Sequence, residues 1–204
     1  MAEKTLIRTS DGHNLQGMLT NGNNECGAVI THPHSLYGGD MDNSVVTVIE
    51  KALQKHKYST LKFNFRGVGQ SEGTYGDGVG EQEDVKAALR CLQETGINRL
   101  VLTGYSFGSW VNAHADYSQF PIEQVIMVSP PVAFMDFSGV DTIPHLTQVF
   151  TGSRDDIAPP AGIEKHLASW NPAARFTVIK GADHFYSGLL NQLEDNLTSA
   201  LTRQ

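Results

Sequence analysis

A serine becomes a nucleophile only when a base takes its proton and a third group orients that base. Three stretches of this sequence carry residues of those types. Gly104-Tyr-Ser106-Phe-Gly108 fits the spacing G-x-S-x-G directly behind the apolar run 99–103. Between a strand and a helix, that spacing sets the serine at the apex of a tight, strained turn. Glycines flank it because side chains there would strike the neighbouring strand and helix. The following helix points its free N–H groups and positive dipole end at the same spot, which stabilises negative charge developing beside Ser106. The candidate base is His184 in Gly181-Ala-Asp-His-Phe, a loop between a strand and the last helix. Of the other downstream histidines, His166 falls inside a helix and His145 opens a strand at the wrong edge. The candidate acid lies in Thr151-Gly-Ser-Arg-Asp155-Asp156, where two aspartates follow a strand and only one can turn towards His184. Asp155 is preferred. Asp156 reads as a surface or turn-capping residue, and Asp136 is a third alternative. A plain N-cap serine and a loop histidine remain the alternative reading of the same stretches.

Acyl chemistry at Ser106 also needs two N–H donors for an oxyanion. One is expected from Phe107, the residue after the serine. The other is expected from His32-Pro-His-Ser-Leu-Tyr-Gly-Gly39, where Pro33 has no N–H to give. His34 is the first choice there, with Ser35 and Leu36 behind it. His32 and His34 across a proline do not make a metal site without a third ligand, so no metal and no cofactor are expected.

These residues are positioned by a regular alternation. Segments 5–9 and 14–20 flank Ser10-Asp11-Gly12 as an N-terminal hairpin. Apolar strands then alternate with helical stretches: strands at 26–32, 59–65, 99–105, 124–130, 145–152 and 175–181, helices at 45–56, 81–95, 107–117 and 163–170, and a last helix from about Ser187. The pattern predicts an α/β fold with about eight strands in a mainly parallel sheet, five or six helices on both faces, and one domain over 1–204. Ligands of such sheets bind beyond the carboxyl ends of the strands, and all three candidate residues follow strands.

The 204 residues suit one core, and a net charge of -7 without a Lys/Arg run disfavours nucleic acid. The N-terminus lacks the apolar core of a secretory signal, and no stretch is long and apolar enough to span a membrane. Cys26 and Cys91 read as reduced thiols of a cytoplasmic protein. A monomer, or a homodimer through an exposed edge strand, is expected.

The stretch His32-Pro-His-Ser-Leu-Tyr-Gly-Gly-Asp-Met-Asp-Asn-Ser-Val-Val, taken with Phe63-Asn-Phe-Arg-Gly-Val-Gly-Gln-Ser-Glu-Gly73, resembles the small, lidless, bacterial-type α/β-hydrolases. These are esterase-like or dienelactone-hydrolase-like proteins, and the resemblance covers nearly the whole chain. It implies a triad of Ser106, Asp155 and His184. Relatives usually carry proline where this chain has Ser35. Arg66 and the glycines after it resemble a structural loop of the family, with a buried ion pair. The gap between strand 124–130 and the acid loop is too short for a cap, so the site should be an open cleft lined by Leu36, Tyr37, Tyr105, Phe107, Val132, Phe134 and Phe185. The reading that follows is hydrolysis of small carboxylic esters through an acyl-enzyme. An acyltransferase, a peptidase and a non-catalytic binding protein on the same fold are the alternatives.

Overall fold

The computed structural model describes residues 2–22 and 25–201; the ends of the span 1–204 lie outside them. Its strands are β1 (Ala2–Arg8), β2 (Asn14–Thr20), β3 (Cys26–Thr31), β4 (Ser59–Phe63), β5 (Arg99–Tyr105), β6 (Ile122–Val128), β7 (Leu146–Gly152) and β8 (Arg175–Ile179). The helices are α1 (Ser44–Lys55), α2 (Val79–Glu94), α3 (Phe107–His114), α4 (Pro160–Trp170) and α5 (Leu190–Leu201), with a 3-10 turn over Ser35–Tyr37. The strands form one sheet in the order β1-β2-β4-β3-β5-β6-β7-β8. β1 and β2 are antiparallel, β2 runs antiparallel to β4, and every pair from β4 to β8 is parallel.

Alternation along each strand divides the core in two. Val29, Leu61, Leu102 and Met127 point to the face covered by α2, α3 and α4, through Leu89, Val111 and Ile163. Ile30, Val101, Ile126 and Phe150 point to the face covered by α1 and α5, through Ile49, Leu53, Leu193 and Leu197. Strands buried on both faces are apolar at nearly every position, which is why they read as continuous runs rather than alternating ones.

Connections leave β3 towards β4 on one side, while β5 and everything after it builds outward on the other. The crevice where chain direction splits lies between the loop after β3 and the turn after β5. The last helix begins at Leu190, later than Ser187, because the Asp183 carboxylate first gathers the N–H groups of Phe185 and Ser187 into a turn. Arg66 stands after β4 and closes a buried cluster. Its Nε and Nη2 donate to Asp84 at 3.0 and 2.7 Å, its backbone N–H donates to the same carboxylate at 2.9 Å, and Nη1 reaches Asp11 at 2.9 Å. Cys26 and Cys91 are not joined in a disulfide.

Candidate active site

The turn between β5 and α3 holds Ser106 at φ 53 and ψ -117, a backbone state that L-residues rarely adopt. Its surroundings enforce this. A Cβ on Gly104 or on Gly108 would lie 2.5 Å from Thr31 Oγ1 on β3, and others of its contacts would be with backbone atoms. The Ser106 N–H donates to Val128 O at 2.9 Å, and Ser109 Oγ donates to Gly104 O at 2.6 Å behind the turn.

His184 reaches this serine from the loop after β8. The Tyr105 hydroxyl, on the strand leading to the turn, donates to His184 O at 2.9 Å and anchors that loop. Gly152 makes room for the same loop, since a Cβ there would overlap the Ala182 carbonyl. Imidazole Nε2 lies 2.9 Å from Ser106 Oγ, and Nδ1 lies 2.9 Å from both carboxylate oxygens of Asp155. Asp155 is buried after β7, where Oδ1 also accepts from the N–H groups of Ile157 at 3.0 Å and Ala158 at 2.7 Å. Burial alone would push its carboxyl up. The hydrogen bond and charge of His184, with the Ala158 N–H, outweigh burial and hold it below the ordinary aspartate value. An ionised Asp155 only accepts, so Nδ1 carries the ring proton and the Nε2 lone pair faces the Ser106 hydroxyl.

Asp156 is exposed, one residue from the buried Asp155. Asp136 is also exposed and binds Ser138, and Asp183 is used in its own turn. His145 stands at the opposite end of the sheet before β7, and His166 stacks on Trp170 in α4 with ring centroids 5.0 Å apart.

Phe107 opens α3, so its N–H has no partner within the helix, and His34 caps the 3-10 turn after β3. Neither amide donates to a protein acceptor among the described residues, and both residues wall the same cavity. The His34 ring is held from three sides, with centroids 4.6 Å from Phe107, 5.0 Å from Tyr37 and 5.2 Å from Tyr75. Its Nδ1 accepts from the Leu36 N–H at 3.3 Å, and its Nε2 lies 3.3 Å from the Tyr75 hydroxyl. Burial holds this imidazole below its ordinary value, with Glu81 opposing. His32 is fully buried. Its Nδ1 donates to Pro33 O at 2.6 Å, and its Nε2 accepts from the Phe65 N–H at 3.0 Å. Among the described residues, no group of three His, Cys, Asp or Glu is arranged to hold a metal.

No protein-family model matches the chain. An uncharacterised protein of Rickettsia prowazekii is 34% identical to it, over 78% of this chain and 71% of that one. An α/β serine hydrolase homologue from Coxiella burnetii is 35% identical with a TM-score of 0.90, covering 98% of this chain and 97% of that one. A serine hydrolase without a lid, from Xanthomonas campestris, is 27% identical with a TM-score of 0.90, over 99% and 94% of the two chains. The chain belongs to the lidless α/β serine hydrolases.

In this hydrolase the connection from β6 to β7 spans only residues 129–145 and contains turns but no helix, so it supplies no helical cap over the serine. The cavity above Ser106 measures about 320 Å³ and has a mainly apolar wall. Tyr37, Tyr105, Phe107, Phe134 and Phe185 line it, together with His34, Ser106 and His184. Leu36 does not. Its side chain, in the middle of the 3-10 turn, is 66% exposed and stands off the cavity that His34 and Tyr37 line. Val132 is also off the wall and packs instead towards Gly162. Pro131, Met135 and Ile157 complete the apolar side, and Asn43 and Gly39 the side below β3. Nothing in the sequence marks Asn43, which comes to the wall because α1 starts beside the cavity. No helix among the described residues is long and apolar enough to cross a membrane.

Proposed function

We propose that this chain hydrolyses small, uncharged carboxylic esters, with Ser106 as nucleophile, His184 as general base and acid, and Asp155 as the group that orients the imidazole. Supporting this reading above all is the unbroken relay in which Ser106 Oγ, the two His184 nitrogens and Asp155 follow one another at 2.9 Å. In the first step Nε2 takes the hydroxyl proton while Oγ attacks the ester carbonyl. The amide N–H groups of Phe107 and His34 hold the resulting oxyanion. The imidazolium, stabilised by Asp155, returns the proton to the departing alcohol and leaves an acyl-serine. Water, deprotonated by the same Nε2, then releases the acid. An open cavity of about 320 Å³ without a lid suits short acyl chains. The wall has no Lys or Arg to receive a carboxylate. The test is a series of para-nitrophenyl esters of increasing chain length. Activity should be highest on short chains, and Ser106→Ala should lower kcat by about 10³-fold or more. Retained turnover in that variant would refute the reading.

A further inference from the structure

Asn43 is held more firmly than a pocket residue needs to be for packing alone. Its backbone N–H donates to Asp40 O at 3.3 Å, and its backbone carbonyl accepts from the Thr47 N–H at 2.9 Å. Its side-chain Oδ1 caps α1 by accepting from the Val45 N–H at 2.9 Å. That last bond identifies the oxygen of the amide, because a backbone N–H cannot be satisfied by the NH₂ end. Three of the residue's four polar groups are therefore committed, and they pin the side chain. Only Nδ2 is left, donating to no protein acceptor among the described residues and not shut away from solvent. Asn43 lines the cavity above Ser106.

Most other polar atoms of that wall are already engaged. The two His34 nitrogens bind Leu36 and Tyr75, the Tyr105 hydroxyl binds His184 O, and Ser106 and His184 form the relay. The Tyr37 hydroxyl stands at the mouth on a side chain that is 73% exposed, its ring packed between His34 and Phe134. Beside that hydroxyl at the mouth, Asn43 presents the one side-chain amide donor among the described residues of the wall. Its neighbours select what that donor can hold. The amino end of α1 adds partial positive charge at this point. Asp40 and Asp42 stand within three residues, and no cation lines the wall, which disfavours an anionic ligand. The combination fits a neutral oxygen acceptor.

We propose that Asn43 Nδ2 determines specificity by donating to an ether, hydroxyl or carbonyl oxygen of the substrate beyond the scissile ester. The preferred substrates are then oxygenated neutral esters rather than plain alkyl ones. This rests on the ester-hydrolase reading and sharpens it.

The experiment compares kcat/KM for two shape-matched pairs. On the acyl side these are para-nitrophenyl methoxyacetate and butyrate, and on the alcohol side methoxyethyl butyrate and butyl butyrate. Each pair is measured with wild type and with Asn43→Ser, which keeps a capping oxygen for α1 but has no amide donor. Dividing the wild-type preference by the variant's preference cancels the intrinsic reactivity of the esters. The quotient should be about three- to tenfold in at least one pair, the range of one neutral hydrogen bond. Asn43→Asp, of the same shape and also a good cap but without a donor, should give a quotient at least as large. Quotients near unity for both variants and both pairs would overturn the proposal while leaving the hydrolase reading intact. Absence of any Ser106-dependent turnover in wild type would remove that reading and this inference with it.

Discussion

His32 follows β3 and His184 follows β8, so both imidazoles stand beyond carboxyl ends of strands at one rim of the sheet, and both are buried. Their partners separate them. His32 binds two backbone groups, Pro33 O and the Phe65 N–H, and so fastens the loop after β3 to the chain leaving β4. Backbone groups neither take nor give a proton, so His32 has one working protonation state and acts as a strut. His184 binds two side chains, a carboxylate that favours a cation and a hydroxyl that can lose its proton, and it opens on a cavity. The Arg66–Asp84 pair makes the same point with charges. It is at least as well bonded as the relay, yet every bond closes on itself and guanidinium keeps its proton under all ordinary conditions. Chemistry at this rim is a matter of which partners can exchange protons, and burial alone does not distinguish them.

Exchanging each histidine for glutamine breaks the comparison most strongly. His184→Gln should lower kcat by about 10³-fold or more with little change in thermal stability. His32→Gln should act on stability, because its amide must replace two buried bonds at once. Steady-state kinetics beside thermal melts separates the two outcomes. If both variants lost activity equally without unfolding, the distinction drawn here would fail.

The adjacent aspartates give the next largest contrast. Asp155→Asn should cost about 10³- to 10⁴-fold in kcat, since an amide can present its NH₂ to Nδ1 and disturb the required tautomer. Asp156→Asn, at an exposed site, should stay within about twofold. Equal losses from the two substitutions would reassign the acid.

The smallest effect is a pH dependence of stability. Burial pushes the His32 imidazole down to about 4, against the opposing pull of its bond to Pro33 O. In the unfolded chain the ring protonates near its ordinary 6.5. Between those values the unfolded state holds more protons, so this contribution is complete above about 6.5 and is lost as pH falls towards about 4, amounting to roughly 3 kcal/mol. Denaturant titrations across that window should show a shallower loss in His32→Gln than in wild type. An identical slope would mean that His32 is not held neutral by the fold.

Much of the architecture was legible because parallel strands buried on both faces leave unbroken apolar runs, and because Gly104 and Gly108 flank a serine where the sheet allows no Cβ. Other features depend on where a loop turns in space. Nothing in Asp155-Asp156 says which carboxylate rotates inward; the N–H groups of Ile157 and Ala158, presented by the turn after β7, draw in the first. Leu36 was expected on the cavity wall from its type and its loop, but a 3-10 turn alternates its side chains too tightly for all three to face one way. Asn43 was not singled out in the sequence, and it reaches the cavity wall only because α1 starts there.

The most direct test of the central claim is intact-protein mass spectrometry after brief exposure to a fluorophosphonate, with the adduct mapped by peptide sequencing. The account predicts one adduct, on Ser106, formed quickly in wild type, far more slowly in His184→Gln, and not at all in Ser106→Ala. Labelling that is undiminished in Ser106→Ala, or as fast in His184→Gln as in wild type, would contradict it.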